Sequence, residues 1–464
     1  MTLRWDVREH ISLSVYFGKW VLIAIPLGIV VGSAVAFFLW LLNEATVTRW
    51  ANPWLLYLLP LAGIPIVAAY KHLGGESHRG NNLVLDEIHK PDRGVTLRMA
   101  PMVLFATVAT HLFGGSAGRE GTAVQMGGSL ASGFTRLHKF NPNDNAILLS
   151  CGIAAGFGAV FGTPLAGAVF ALEVLAVGRI AYPALLPCLI ASIAADRTIA
   201  LLGIAHQPYF IRSAVDLKIT SGAFGIDPAL WVKVVIVAAA FGLVSFLFSE
   251  LQHTLSALFT RYISLYWLRP VAGGVLVVVI TLLLGTYDYL GIGVTTPTGT
   301  GTSISNAFAL GGADPWSWFW KLSLTAITLG SGFKGGEVTP LFFIGATLGN
   351  ALAVGLHAPI DLFAALGFIA VFAGASNTPL ACTIMGVELF GSEYTVFFAL
   401  ACSIAYLFSG HSGIYLSQRV AVPKGGHLET LETATLRTIR DGNEHLGLGS
   451  RWKRARERFR RSSS

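Results

Sequence analysis

Four short segments combine backbone donors and titratable side chains in ways suited to handling an anion and a proton. The first, GGSAGREGTAVQMGGSLAS (114–132), sets a glycine-rich turn before an apolar, helix-capable run. Glycines let the backbone turn tightly, and a helix starting there aims unpaired N–H groups and a positive dipole end forward, a ready anion cradle. Glu120 sits in that turn. A carboxylate in an apolar stretch is costly when charged and invites protonation or a partner; the plainer alternative is a loop ion pair with Arg119. The second, GSGFKGGEVTPLFFIGATLGN (330–350), repeats the design, with Pro340 in the first turn, where its missing N–H is harmless. Glu337 there is either a functional carboxylate or an N-cap of its own helix. In the third, GNNLVLDEIHK (80–90), Asn81 and Asn82 can donate side-chain N–H bonds or simply turn the chain. In the fourth, SGHSGIYLSQ (409–418), Tyr415 follows a long apolar run, as an interfacial belt residue or as a phenol donor to a pore anion.

The elements that must position these groups are apolar. Of 464 residues, 53% are hydrophobic and 12% charged, with mean hydropathy +0.63. A soluble domain carries about 25% charged residues, so this chain lacks the charge to cover a water-facing surface. Apolar runs recur at 20–42, 53–70, 146–176, 180–204, 229–249, 268–285, 340–357 and 379–408. They predict an all-α polytopic membrane protein. The runs at 101–118, 330–340 and 374–379 are short or broken by Gly and Pro, which is tolerated at membrane depth only inside protein or beside a wet cavity, and so points to a transport site.

The chain also repeats itself. TPLAGAVFALE (163–173) returns as TPLACTIMGVE (378–388), 215 positions later, with Glu173 and Glu388 in register. GREGTAVQMGGSL (118–130) lies over FKGGEVTPLFFIGATL (333–348) at an offset of 218, matching Gly127 to Gly345 and Leu130 to Leu348. Two homologous halves, about 20–205 and 229–418, are expected to meet at a midplane ion site. Residues alone leave their mutual orientation, parallel or inverted, open.

Other classes are excluded by what is missing. Cys151, Cys188, Cys382 and Cys402 lie singly in apolar stretches, without metal-ligand spacing. No HExxH, GxSxG or nucleotide loop stands out, so neither an enzyme nor a cofactor is expected. The excess of 32 Lys+Arg over 25 Asp+Glu gathers largely in RWKRARERFRR (451–461), read as a basic cytoplasmic tail against anionic lipid rather than a nucleic-acid patch. The N-terminus, MTLRWDVREH, is mixed in charge and unlike a cleaved signal peptide. The expected layout is a cytoplasmic segment 1–19, a transport domain 20–418 and a tail 419–464, both termini cytoplasmic.

At GREG, the repeated TPLA…E helices and the glycine-rich turn ending in Pro340, the sequence resembles the CLC chloride channel and transporter family, from about Trp20 to Gln418. The resemblance implies a homodimer in the inner membrane with one pore per subunit. Each subunit is built of partly re-entrant helices in two inverted repeats, with helix N-termini converging on dehydrated anions. It makes Glu120 a gate that competes for an anion site when charged. It matches Tyr415 to the family's pore tyrosine, and the amides of Gly118 and of Glu337, Val338 and Thr339 to its anion-binding turns.

Four departures from the chloride-selective pattern stand out. GSGIP is GNNLV, placing Asn81, followed by Asn82, where a serine hydroxyl would be. GREGP is GREGT, with Thr122, and GIFxP is GEVTP. Glu173 is followed by Val174 instead of a second glutamate. These forms are similar to the fluoride-specific bacterial branch and imply fluoride/proton antiport, with Glu337 on the inner proton route; a chloride or other monovalent anion transporter, or a passive channel, is the alternative. The segment after 418 is too short for the paired nucleotide-binding domains of some relatives, so no such regulation is expected.

Overall fold

The computed structural model describes residues 7–91, 94–137, 140–212, 228–425 and 434–441; the basic run 451–461 lies outside them. In chain order the helices are α1 (Val7–Ala51), α2 (Leu59–Leu73), α3 (Asn81–His89), α4 (Met99–Leu112), α5 (Glu120–Leu137), α6 (Pro142–Phe161), α7 (Pro164–Glu173) and α8 (Leu185–Leu201). There follow α9 (Pro228–Tyr262), α10 (Leu268–Leu284), α11 (Ser317–Gly330), α12 (Val338–Leu356), α13 (Ile360–Ser376), α14 (Pro379–Phe390), α15 (Thr395–Phe408) and a short α16 (Leu436–Arg440). Among the described residues, six segments are long and apolar enough to cross a membrane, α1, α6, α9 and α12 included. α1 is 45 residues long, more than twice the roughly 20 that a perpendicular span needs, so the run 20–42 is the middle of a longer helix that begins inside the segment expected to precede it.

The solvent preference of the surface is inverted. Leu22, Phe37, Trp40, Leu243, Phe246 and Leu283 are exposed on α1, α9 and α10, whereas Glu120, Thr122, Thr328, Thr347 and Lys321 are wholly buried. Apolar surface outside and polar groups inside is what a hydrocarbon solvent selects. α13 is buried from Asp361 to Ser376, and α6 and α12 nearly so, while α1 and α9 line the periphery.

The halves correspond element by element: α1 with α9, α2 with α10, α4 with α11, and α5–α8 with α12–α15. α3 has no helical counterpart among the described residues of the second half. The glycines matched by sequence do matched work. A Cβ on Gly127 of α5 would lie 2.0 Å from the Gly152 carbonyl of α6, and one on Gly345 of α12 would lie 2.0 Å from the Gly367 carbonyl of α13. In each half, two helices cross backbone to backbone, which a side chain would forbid.

The halves meet through reciprocal contacts. Gly118 and Gly336 form an antiparallel bridge, with amide to carbonyl distances of 2.6 and 2.8 Å. Glu173, at the end of α7, accepts from the Leu380 and Ala381 amides that open α14 (3.1 and 2.8 Å). Glu388 on α14 accepts from the Leu165 and Ala166 amides that open α7 (2.9 and 2.8 Å). Contacts in which each partner does to the other what is done to it mark a two-fold relation, and across it the repeats are inverted. The only strand pairing among the described residues joins Ala176–Val177 to Arg419–Val420, so the chain past 418 starts as part of the transport domain. Tyr16 of α1 donates to the Pro183 carbonyl just beyond that pairing (2.9 Å), which puts the N-terminal end of α1 and the start of the tail on one face.

Candidate functional site

Both glycine-rich turns end in a helix start, and the Gly118–Gly336 bridge holds those starts against each other. Gly114 and Gly332, 218 positions apart, both have positive φ (84° and 112°), the left-handed region where glycine is favoured. A Cβ on Gly121 would lie 3.1 Å from Gly336 Cα and 3.2 Å from Asn81 Nδ2, a tight fit that the neighbours would have to yield to by a few tenths of an ångström.

Glu120 is the first residue of α5 and is fully buried. Its carboxylate reaches across the bridge to the start of α12. Oε2 accepts from the Thr339 amide at 3.0 Å and from the Arg119 amide at 3.1 Å, and Oε1 accepts from the Thr339 hydroxyl. A carboxyl oxygen thus occupies the N-terminus of α12, where amides and dipole favour negative charge. The Arg119 guanidinium is also near, with Nε 3.5 Å from Oε1, yet that Nε makes no hydrogen bond. The ion pair and the cross-repeat bonds therefore coexist, and only the latter have hydrogen-bond geometry. A small cavity of about 20 Å³ adjoins Glu120 and Thr339, with Phe342, Phe368, His206 and Tyr209 in its wall. Burial pulls the imidazole of His206, in the loop beyond α8, down to about 4, and Arg119 adds to the shift, so this wall carries a neutral imidazole at pH 7.

On the tail side of the bridge lies a second cavity, of about 140 Å³, with Asn81, Asn82, Gln252, Lys334, Glu337 and Tyr415 in its lining. Glu337 holds the N-cap position of α12 but makes no capping bond; its Oε1 accepts from Gln252 Nε2 of α9 at 3.1 Å. The N-cap alternative is thereby overturned: Glu120 of the other half takes the donors that Glu337 would have capped. Asn81 opens α3 with its Oδ1 buried and unpartnered. Tyr415 is buried, its ring edge-on to Phe170 at 6.4 Å, a core position instead of the interfacial belt.

Four of the expected residues sit otherwise. The Gly118 amide is spent on the Gly336 carbonyl, so Gly118 shapes the turn and offers no free donor. The Thr122 hydroxyl turns to Thr107 of α4 (2.7 Å). Asn82 Oδ1 accepts from the Ser417 amide (2.8 Å) and fixes the turn that follows Tyr415. Glu173 has both oxygens on α14 amides and lines neither cavity. Val338 is buried at the start of α12, beside Thr339. Gln252, His206 and Tyr209 were not anticipated; Gln252 lies in the polar stretch SELQHT of α9, with nothing in the sequence to set it apart from its neighbours.

Comparison with known proteins gives this constellation its relatives. Residues 62–410 match the family model described as voltage gated chloride channel. A "Chloride/fluoride channel protein" of Pseudomonas syringae pv. tomato is 48% identical over 418 residues, 90% of each chain. A solved "CLC-type fluoride/proton antiporter" superposes with TM-score 0.80 at 34% identity, covering 87% of this chain and 98% of that one. A slow cyanobacterial Cl-/H+ antiporter shares the fold at TM-score 0.69 and 17% identity, over 84% and 94% of the two chains. The chain belongs to the CLC family of voltage gated chloride channels and transporters, and it is an anion transporter of the membrane.

Proposed function

We propose that this CLC protein exchanges fluoride for protons and exports fluoride, with Glu120 as the gate. The observation that carries the reading is the Glu120 carboxylate on the Thr339 amide and hydroxyl. Those donors suit a small, strongly hydrated anion, which must recover in hydrogen bonds what it loses in water. A charged carboxylate and an anion cannot comfortably share one low-dielectric site. Protonation of Glu120 removes its claim on the donors, and an arriving anion takes them; the proton and the anion then move in opposite directions by turns. Glu337, beside Asn81 and Tyr415 on the tail side, receives the proton on that face, with Gln252 holding it in place. The names of the Pseudomonas relative and of the 34% identical antiporter support fluoride as the anion.

The test is ion movement in proteoliposomes, with fluoride and chloride electrodes beside a pH probe. The expected result is fast fluoride efflux, slow chloride efflux, and uphill proton movement driven by a fluoride gradient. Chloride efflux at a comparable rate overturns fluoride specificity in favour of a chloride transporter. Fluoride efflux without proton movement makes the protein a channel and Glu120 a gate only. The homodimer implied by the family is checked separately, by the mass of the detergent-solubilised protein.

A further inference from the structure

On the face of the bridge away from the tail, a cavity of about 450 Å³ lies between the C-terminal end of α1 and the loop that follows α10. Arg49, Trp50, Arg119, Gln207, Asp288 and Thr296 are in its wall. Arg119 and Gln207 also line the small cavity at Glu120, so the two spaces share a wall.

Arg49 is the unexplained group. It is 5% exposed, at the last turn of α1. Its guanidinium has no hydrogen bond and no ion pair among the described residues; it faces the cavity. Asp288, the carboxylate of the same wall, has its Oδ2 bonded to the Thr302 amide at 2.7 Å and lies beyond ion-pair distance of Arg49. A guanidinium stays charged at any physiological pH. Burying one without a counter-charge is costly, and the cost is met when a mobile anion supplies the charge. Arg119 adds a second guanidinium whose Nε is unpartnered and whose charge the Glu120 carboxylate already offsets. Asp288 balances the formal charge of the wall without pairing with Arg49, so one guanidinium keeps its donors free for a monovalent anion. The cavity is far larger than a bare halide, leaving room for the anion with part of its water.

We propose that this cavity is a second anion site, holding a small, partly hydrated monovalent anion on Arg49, one step outside the site that Glu120 occupies. The inference rests on the reading that an anion passes Glu120, and not on that anion being fluoride. Under the basic-inside expectation the cavity faces the cell exterior.

The test uses the full chain with Thr46→Cys in sealed vesicles. Thr46 is in the cavity wall, and the four native cysteines are buried. Labelling by an uncharged, membrane-impermeant maleimide is followed against sodium fluoride or sodium bromide, with sodium gluconate as the ionic-strength control. The expected result is labelling slowed about tenfold at saturating halide, a free-energy difference of about 1.4 kcal/mol. The protection should vanish in Arg49→Met, which keeps the apolar stem, and persist in part in Arg49→Lys. No protection with Arg49 present overturns the proposal whatever the variants do, and equal protection in Arg49→Met overturns it too. Fluoride efflux of the same vesicles is read in parallel. Protection without fluoride transport would keep this site and overturn the proposed function, while transport without protection would do the reverse.

Discussion

The two glycine-rich turns are one backbone design used twice with the charged residues placed differently. Residues 114–122 and 332–340 align at an offset of 218, share a positive-φ glycine at the same place, and pair through Gly118 and Gly336. At the residue after the bridge, the first turn carries Arg119 and the second carries Glu337. Arg119 lines the cavities on the face away from the tail, and Glu337 lines the one on the tail side. The next position is Glu120 in one half and Val338 in the other, so a single carboxylate is available to reach across, and it lands on the helix of the half that lacks one. An inverted repeat supplies two equivalent helix starts at mid-depth. The substitutions at the two positions after the bridge turn Arg119 toward one face and Glu337, with Lys334, toward the other, with Glu120 between them.

The largest effect should come from removing the asymmetric carboxylate. Glu120→Gln keeps the shape but cannot take up a proton at that site. Uphill proton movement driven by a fluoride gradient should vanish while fluoride still crosses. Tight coupling in that variant would show that the proton route bypasses the bridge. Glu337→Gln comes next. Its amide can keep the Gln252 contact, so folding should be preserved while proton flux falls about tenfold, or about 1.4 kcal/mol in the rate-limiting step. If Glu337→Gln left the proton flux unchanged, the contrast between the turns would be structural, and Glu337 a buried polar residue satisfied by α9.

Much of this was legible in the sequence because repetition leaves a mark. The offset of 218 brought the two turns into register and matched Gly127 to Gly345, and GREG with GEVTP singled out Glu120, Thr339 and Glu337. What stayed hidden are properties of the two-fold relation itself. Glu173 and Glu388 read as matched ends of a repeated helix, and Glu173, by the resemblance, as the one glutamate kept from the pair that feeds the family's internal proton route. Only the fold shows each capping the other's helix. Thr122 in GREGT read as a feature of the ion site because it departs from the GREGP pattern two residues after Glu120. Two residues along a helix are a rotation of about 200°, and its hydroxyl meets α4 instead. Arg49 and His206 came from segments without a motif, and only their placement beside Arg119 gives them meaning.

The reciprocal caps sharpen the comparison from the symmetric side. Where the halves are equivalent, equivalent substitutions should cost the same. Glu173→Gln and Glu388→Gln each weaken two charge-assisted bonds to helix-opening amides. Each should lower stability by roughly 1.5–3 kcal/mol, read as a fall in the thermal midpoint of the detergent-solubilised protein, with proton-to-fluoride coupling intact. A loss of coupling in Glu173→Gln alone would restore it to the proton route and break the equivalence of the two caps.

The smallest expected effect is at Thr122. Thr122→Val removes one hydroxyl from the pair with Thr107 and leaves the other buried without its partner, at about 1 kcal/mol of stability. Replacing both threonines by valine removes the orphan together with the bond. The double variant should therefore be no less stable than Thr122→Val alone, a non-additivity that neighbours in direct contact produce and distant sites do not. Fluoride-over-chloride efflux should be unchanged in all three proteins, because this hydroxyl braces α5 against α4 and faces neither cavity. A selectivity change in Thr122→Val would mean that the side chain turns toward the anion during transport. The division between a symmetric scaffold and an asymmetric site would then have to be drawn one residue further into α5.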